Sequence, residues 1–160
     1  MKFLFTIGLW CCLCLPLKAQ TSIPIIPLEE LKNRYTQAND TTYIVNFFAT
    51  WCGPCIREMP VLNAFYEKNK DTKMQLIIVS LDQVGYAKKV AQKLSKLNVK
   101  APTYLLQTNG TFDWLPSVDA RWQGSIPATL IIQNNKKVKA LLETPLEEGQ
   151  LEMYLQKLGL

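Results

Sequence analysis

This chain has no histidine among its 160 residues. That absence removes Ser–His and Cys–His nucleophile pairs and imidazole metal ligands in one step. Cysteine is scarce as well. There are five, and Cys11, Cys12 and Cys14 crowd into the opening segment, which leaves Cys52 and Cys55. Two thiols without an imidazole are too few for a zinc site of about four ligands. They are also too few for a small secreted domain stapled by several disulfides. No apolar run reaches the ~20 residues of a membrane span. Internal repeats, low-complexity tracts and a domain linker are missing too. The net charge of +5 is a modest excess and a weak attraction for nucleic acid or membrane, so no nucleic-acid partner is expected.

What is present begins with MKFLFTIGLWCCLCLPLKAQ. Lys2 is a short basic start, Phe3 to Leu17 an uncharged apolar run, and Lys18-Ala19-Gln20 a polar exit with a small residue at Ala19. This is the anatomy of a secretory signal peptide. Residues 1–19 are therefore expected to be a signal peptide and 20–160 a single domain of about 140 residues, enough for a real core. The alternative is an uncleaved membrane anchor. Lipidation fits poorly, because Cys14 follows Leu13, Cys11 follows Trp10 and Cys12 follows Cys11, where a small residue is normal.

Past that segment the pattern alternates. TSIPIIP (21–27) reads as an extended lead-in and Leu28 to Ala38 as a helix. Thr42 to Ala49 and Met74 to Ser80 are near-continuous apolar runs rich in β-formers, as buried strands are. A helix follows from Gly53 to about Lys70, with Ile56, Met59, Leu62 and Phe65 stepping by three. Val90, Leu94 and Leu97 stripe a helix over about 85–97 whose lysines form a solvated face. Thr103 to Gln107 reads as a short strand, and 112–120 as holding a short helix. Ala128 to Gln133 and Lys137 to Leu142 form a hairpin across Asn134-Asn135-Lys136. Thr144-Pro145-Leu146-Glu147 predicts the start of the last helix, with an N-cap, a proline in the first turn and a capping glutamate. Units of βαβ followed by ββα give an α/β fold with a mixed sheet.

The chemistry concentrates in ATWCGPCIREMP, residues 49–60. Haem attachment wants a histidine after the second cysteine, and Ile56 stands there. A purely structural Cys52–Cys55 disulfide closes too small a loop to restrict the unfolded chain much. Reactive sulfur chemistry remains. Cys52 falls at a helix N-terminus, where unpaired amides and the helix dipole favour a thiolate. Cys55 lies one turn further in and is expected to be more buried. Cys52 is thus the attacking sulfur, and Cys55 resolves the mixed disulfide. Arg57 is expected to point away from Cys52.

These residues carry a resemblance. NFFATWCGPCIREMP is similar to the active-site segment of the thioredoxin superfamily, with Pro60 where that family kinks its helix. SIPATLII (125–132) resembles the family's cis-proline strand. The resemblance covers most of residues 28–160. It implies a thioredoxin fold, with a central mixed sheet flanked by helices and a cis bond between Ile126 and Pro127. Glu58 and Pro60 match the C-x-x-E-x-P extension of the extracytoplasmic TlpA/ResA-like reductases. Residues 85–107 read as the extra helix and strand which that branch inserts before the cis-proline. Where thioredoxin keeps a buried aspartate, six residues before the first cysteine, this chain has Asn46. Glu58 is the candidate to handle the Cys55 proton in its place; the alternative is an exposed glutamate near a helix N-terminus. Around the pair, Trp51 is expected to pack beside and shield Cys52, and Gly53, Pro54, Ile126 and Pro127 to border the substrate. The Ile126 backbone is free to pair with an extended segment. Trp114 and Trp122 read as core, and Gly124 as a turn residue.

The resemblance implies a monomeric, periplasmic thiol–disulfide oxidoreductase with no cofactor beyond the Cys52–Cys55 dithiol. Its substrates are disulfides of exported proteins, apocytochrome c in many relatives, and it is recharged by a membrane thiol-electron donor of the DsbD type. Two other activities compete. A thiol peroxidase keeps a proline and a Thr or Ser before its cysteine, where this chain has Val45 and Ala49. A disulfide oxidase or isomerase differs by its potential.

Overall fold

The computed structural model describes residues 22–160. The signal-peptide expectation for residues 1–19 lies outside the described residues. Four apolar stretches, β2 (Thr42–Phe48), β3 (Met74–Ser80), β4 (Thr103–Gln107) and β5 (Ala128–Gln133), join with the edge strands β1 (Ile25–Pro27) and β6 (Val138–Leu142). The six form one sheet in the order β1-β4-β3-β2-β5-β6. Strands β1 to β4 pair in parallel, while β5 runs antiparallel to β2 and β6 antiparallel to β5. This is the expected mixed sheet, and the lead-in IIP has become its first edge strand. Edge placement suits it, because Pro27 has no amide for a ladder bond.

Side chains alternate across β2 and split the core in two. Ile44 and Phe48 face α2 (Gly53–Asn69), α3 (Ala87–Lys96) and the last helix, α5 (Gln150–Lys157). Tyr43, Val45 and Phe47 face α1 (Leu28–Tyr35) and the short α4 (Leu115–Val118). Asn46 shares the parity of Ile44 and Phe48, so the same alternation places a fully buried amide under α2. Trp114 and Trp122 gather on Phe47, with ring centroids 6.5 and 4.6 Å away, as core aromatics do.

The last helix corrects one expectation. It begins at Gln150, not at Pro145, after Gly149 turns the chain with φ 75°. Residues 144–147 do carry a capping signal, but the Leu146 amide donates to the Glu58 carboxylate at 2.8 Å, and the Leu146 side chain is buried. A tertiary partner has taken the amide that a helix start would have presented.

Candidate active site

Strand β2 ends at Phe48, and its carboxyl end delivers the chain to the first turn of α2. Cys52 is the N-cap residue of that helix, extended at φ −82° and ψ 103°. Its Sγ accepts a hydrogen bond from the Cys55 amide at 3.2 Å, satisfying one of the donors that a helix start leaves open. Gly53 and Pro54 follow without cost, since an amide there has no partner inside the helix. Cys52 and Cys55 are joined in a disulfide. Cys52 is 6% exposed and Cys55 fully buried, the order expected from their positions on the helix.

The opposite wall comes from the far end of the same ladder. Phe47 pairs with Ala128, so the residues just before β5 reach the residues just after β2. The Ile126–Pro127 peptide is cis, and the Ile126 carbonyl oxygen lies 3.8 Å from Cys52 Sγ. Ile126 is half-buried and Pro127 buried. The loop is fixed from behind by the Trp122 indole, which donates to the Ser125 carbonyl at 2.9 Å. Gly124 makes its turn at φ 97°.

Beneath the helix lies a polar triad. Glu58 is 2% exposed; it is not the exposed glutamate of the simpler alternative. One carboxylate oxygen accepts from Asn46 Nδ2 at 2.8 Å and the other from the Leu146 amide. Asn46 Nδ2 also donates to Thr129 Oγ1 at 3.0 Å, its register partner on β5. Burial pushes the Glu58 carboxyl above its ordinary 4.5, and the two hydrogen bonds oppose that shift only in part. Asn46 Oδ1 is buried without a partner.

One neighbour differs from expectation. Trp51, on the loop between β2 and α2, is not a packed ring beside Cys52; it stands 74% exposed. The Arg57 guanidinium lies back along the first turn, with Nη1 3.5 Å from where a Cβ on Gly53 would be. Gly53 is exposed and Pro54 half-buried beside it.

Asp82, Thr129 and Leu146 are functional neighbours that the sequence does not single out. Asp82 is 6% exposed and holds the loop before Cys52, accepting from the Thr50 amide at 2.9 Å and the Thr50 hydroxyl at 2.6 Å. It also accepts from Ser80 Oγ at 2.8 Å. The only signal for it is an acid two residues past a buried strand. Among the described residues, no three His, Cys, Asp or Glu side chains gather as a metal would require. None of the described helices is long and apolar enough to cross a membrane.

Comparison with known proteins agrees with this arrangement. A model of the AhpC/TSA family matches residues 27–141. The thiol-disulfide oxidoreductase ResA of Bacillus cereus is 27% identical over 144 residues, covering 88% of this chain and 77% of that protein. A solved thioredoxin-related protein from Neisseria meningitidis serogroup B superposes with a TM-score of 0.66 at 20% identity, over 77% of this chain and 88% of its own. A secreted thiol-disulfide isomerase from Corynebacterium glutamicum gives 0.60 at 16% identity, over 80% and 74%. The two structural likenesses speak for the fold. With the family model spanning most of the sheet and the Cys-Gly-Pro-Cys turn inside it, the chain belongs to the AhpC/TSA family of the thioredoxin superfamily.

Proposed function

We propose that the protein is a thiol–disulfide oxidoreductase that reduces disulfides of exported proteins. The observation that carries this reading is the Cys52–Cys55 pair across the first turn of α2, with Cys52 beside the Ile126 carbonyl and Cys55 buried behind it. In the reduced protein the Cys52 thiolate attacks one sulfur of a substrate disulfide. This forms a mixed disulfide and releases the first substrate thiolate. Cys55 then loses its proton, attacks Cys52 Sγ and releases the second substrate thiolate. Two electrons have moved, and Cys52–Cys55 is oxidised. Glu58 takes up the Cys55 proton, for which a buried carboxyl with a raised pKa is suited. An extended substrate segment pairs with the Ile126 backbone over Pro127, bordered by Trp51, Gly53 and Pro54.

The direction follows from the motif. Thioredoxin, which shares the Gly-Pro dipeptide, sits near about −270 mV, and the oxidant DsbA near about −120 mV. That gap is roughly 7 kcal/mol at about 30 mV per 1.4 kcal/mol. Neither histidine nor lysine lies between the cysteines to stabilise a thiolate to that degree; the Cys55 amide and Arg57 contribute modestly. The opening segment supports export to an oxidising space, with a retained membrane anchor as the alternative. A reductant there is recharged by a membrane thiol-electron donor of the DsbD type. Apocytochrome c is the substrate class that the resemblance implies, and the chain acts as a monomer. The peroxidase alternative is disfavoured by Ala49 and Val45.

Equilibration against a dithiol buffer tests the direction. A potential more positive than about −180 mV, the isomerase value, overturns the reductase reading in favour of an oxidase or isomerase. Cys52→Ser should abolish insulin reduction, and Cys55→Ser should accumulate mixed disulfides through Cys52. Preferential alkylation of Cys55 at neutral pH would reverse the two roles.

A further inference from the structure

Trp51, the residue before Cys52, borders two clefts that differ in charge. One, of about 450 Å³, is lined by Val84, Leu106 and Phe112 together with Asp82, Gln83 and Thr111, and contains no lysine. The other, of about 480 Å³, runs between Thr50 and Trp51 and the flank of α3, where Tyr86, Lys89, Lys93 and Lys96 face it. These lysines step by four and three along the helix, which stacks them on one face. The Lys89 ammonium lies 5.5 Å from the centre of the Tyr86 ring, close enough for a cation–π contact that holds it over the cleft.

The positive charge of this second cleft is not neutralised. None of the three lysines has an ion-pair partner among the described residues. Helix α3 contributes four lysines and no acid. The one acid lining the cleft, Asp82, is buried beneath Thr50 and Ser80 and offsets at most one of the three charges. A solvated face explains lysines on an exposed helix; it does not explain why three converge on the cleft bordered by Trp51, the residue before Cys52, while the neighbouring cleft has none.

We propose that the cleft between Trp51 and α3 docks acidic residues that flank the disulfide of a polypeptide substrate. The proposal rests on the oxidoreductase reading and adds a substrate class to it. Charges at a rim act mainly on encounter and on choice of partner, and a field from three unpaired lysines raises association by about tenfold or more at low salt.

The probe is a pair of synthetic peptides, each closed by one disulfide and identical except for aspartates or lysines beside the cysteines. Single-turnover reduction by the pre-reduced full chain should be about tenfold faster for the acidic peptide at low ionic strength. That preference should shrink as salt screens it. The triple variant Lys89→Gln/Lys93→Gln/Lys96→Gln should level the two rates, and the corresponding glutamate triple should invert them. Equal rates in the wild type, or a preference that survives the triple variants, overturn the proposal. If neither peptide is reduced, the oxidoreductase reading fails. Docking is still decided by titrating a cysteine-to-serine acidic peptide against the oxidised chain while following the Trp51 indole signal by NMR. A shift lost in the glutamate triple supports docking, and no shift overturns it. Lysine-dependent binding of phosphatidylglycerol vesicles without any peptide preference would assign the face to a membrane and overturn the proposal.

Discussion

Glu58 and Asp119 are both little exposed, 2% and 4%, yet their carboxyl groups shift in opposite directions. Asp119 lies beyond α4, away from the disulfide. Arg121 grips both its oxygens, with Nε at 2.9 Å and Nη2 at 2.8 Å. That hydrogen-bonded cation holds its pKa at about 2. Glu58 also has both oxygens occupied, but by the uncharged donors Asn46 Nδ2 and the Leu146 amide. Desolvation therefore dominates and its pKa rises. Low exposure alone does not set the behaviour of a carboxyl; how deeply it is desolvated and whether its hydrogen-bond partners are charged decide the direction together. One acid is a fixed anion that fastens a turn. The other can exchange a proton, and it sits in the helix that carries the cysteines.

Removing the exchangeable acid altogether should have the largest effect on the fold. Glu58→Leu strands two buried donors, each worth roughly 1–3 kcal/mol when left unpaired, so urea unfolding should show a loss of about 3 kcal/mol. A loss below about 1 kcal/mol would mean that those donors find other partners. Glu58→Gln should be milder, because the new carbonyl oxygen can still accept from Leu146. For the new amide to donate to Asn46 Oδ1 the Asn46 side chain must turn over, which sets its amino group in the buried position that Oδ1 occupies without a partner, at about 1–3 kcal/mol for an unpaired donor. Resolution of the mixed disulfide should nevertheless slow by about tenfold or more and lose its pH dependence between about pH 6 and 9. An unchanged profile would return Glu58 to a structural role.

The same variant has a stability signature. A carboxyl whose pKa is higher folded than unfolded holds its proton more tightly in the native state. Its contribution is full below 4.5 and is lost as pH rises through the raised folded value. Glu58→Gln should therefore gain on the wild type as pH rises through that window. Asp119→Asn should show the opposite sign. Asp119 stabilises the fold above its ordinary 3.8 and loses that contribution as pH falls through about 2. The variant should be less stable at neutral pH, converge with the wild type in strong acid, and keep its reductase rate and pH profile unchanged. A shifted pH profile in Asp119→Asn would dissolve the distinction between the two acids.

Much of this is legible in the sequence for a plain reason. β2, β3 and β5 are buried in the middle of the sheet, so they are written as continuous apolar runs, and the Cys-Gly-Pro-Cys turn follows the first of them. Cys52, Cys55 and Pro127 stand at the ends of such runs and can be placed from them. What stays hidden depends on partners distant in sequence. Glu58 is visible as an acid three residues after Cys55, but Leu146, which donates to it, lies 88 residues away. The same contact explains why a good capping signal at Thr144 to Glu147 fails to start a helix. Asp82 looks like an ordinary loop acid until its three hydrogen bonds bring Thr50 and Ser80 to it. Trp51 departs from expectation because an aromatic beside a cysteine suggests packing, and nothing in a local pattern says that its ring stands exposed.

The antiparallel ladder between β2 and β5 has a wider consequence. Cys52 and Pro127 face each other because Asn46 pairs with Thr129 and Phe47 with Ala128, so their separation is counted out in paired residues like notches on a ruler. Sliding that ladder by one residue would turn Thr129 to the other face and dismantle the support under Glu58 along with the substrate wall. Within the loops that follow β3 and β4, Asp82 and the run from Trp122 to Pro127 are tied to the site, and only the stretches between them are outside this count. Those stretches can lengthen, shorten or change charge without moving either sulfur. A single rigid gauge thus lets the rim be rewritten for new clients while the electron-transfer chemistry stays where it is.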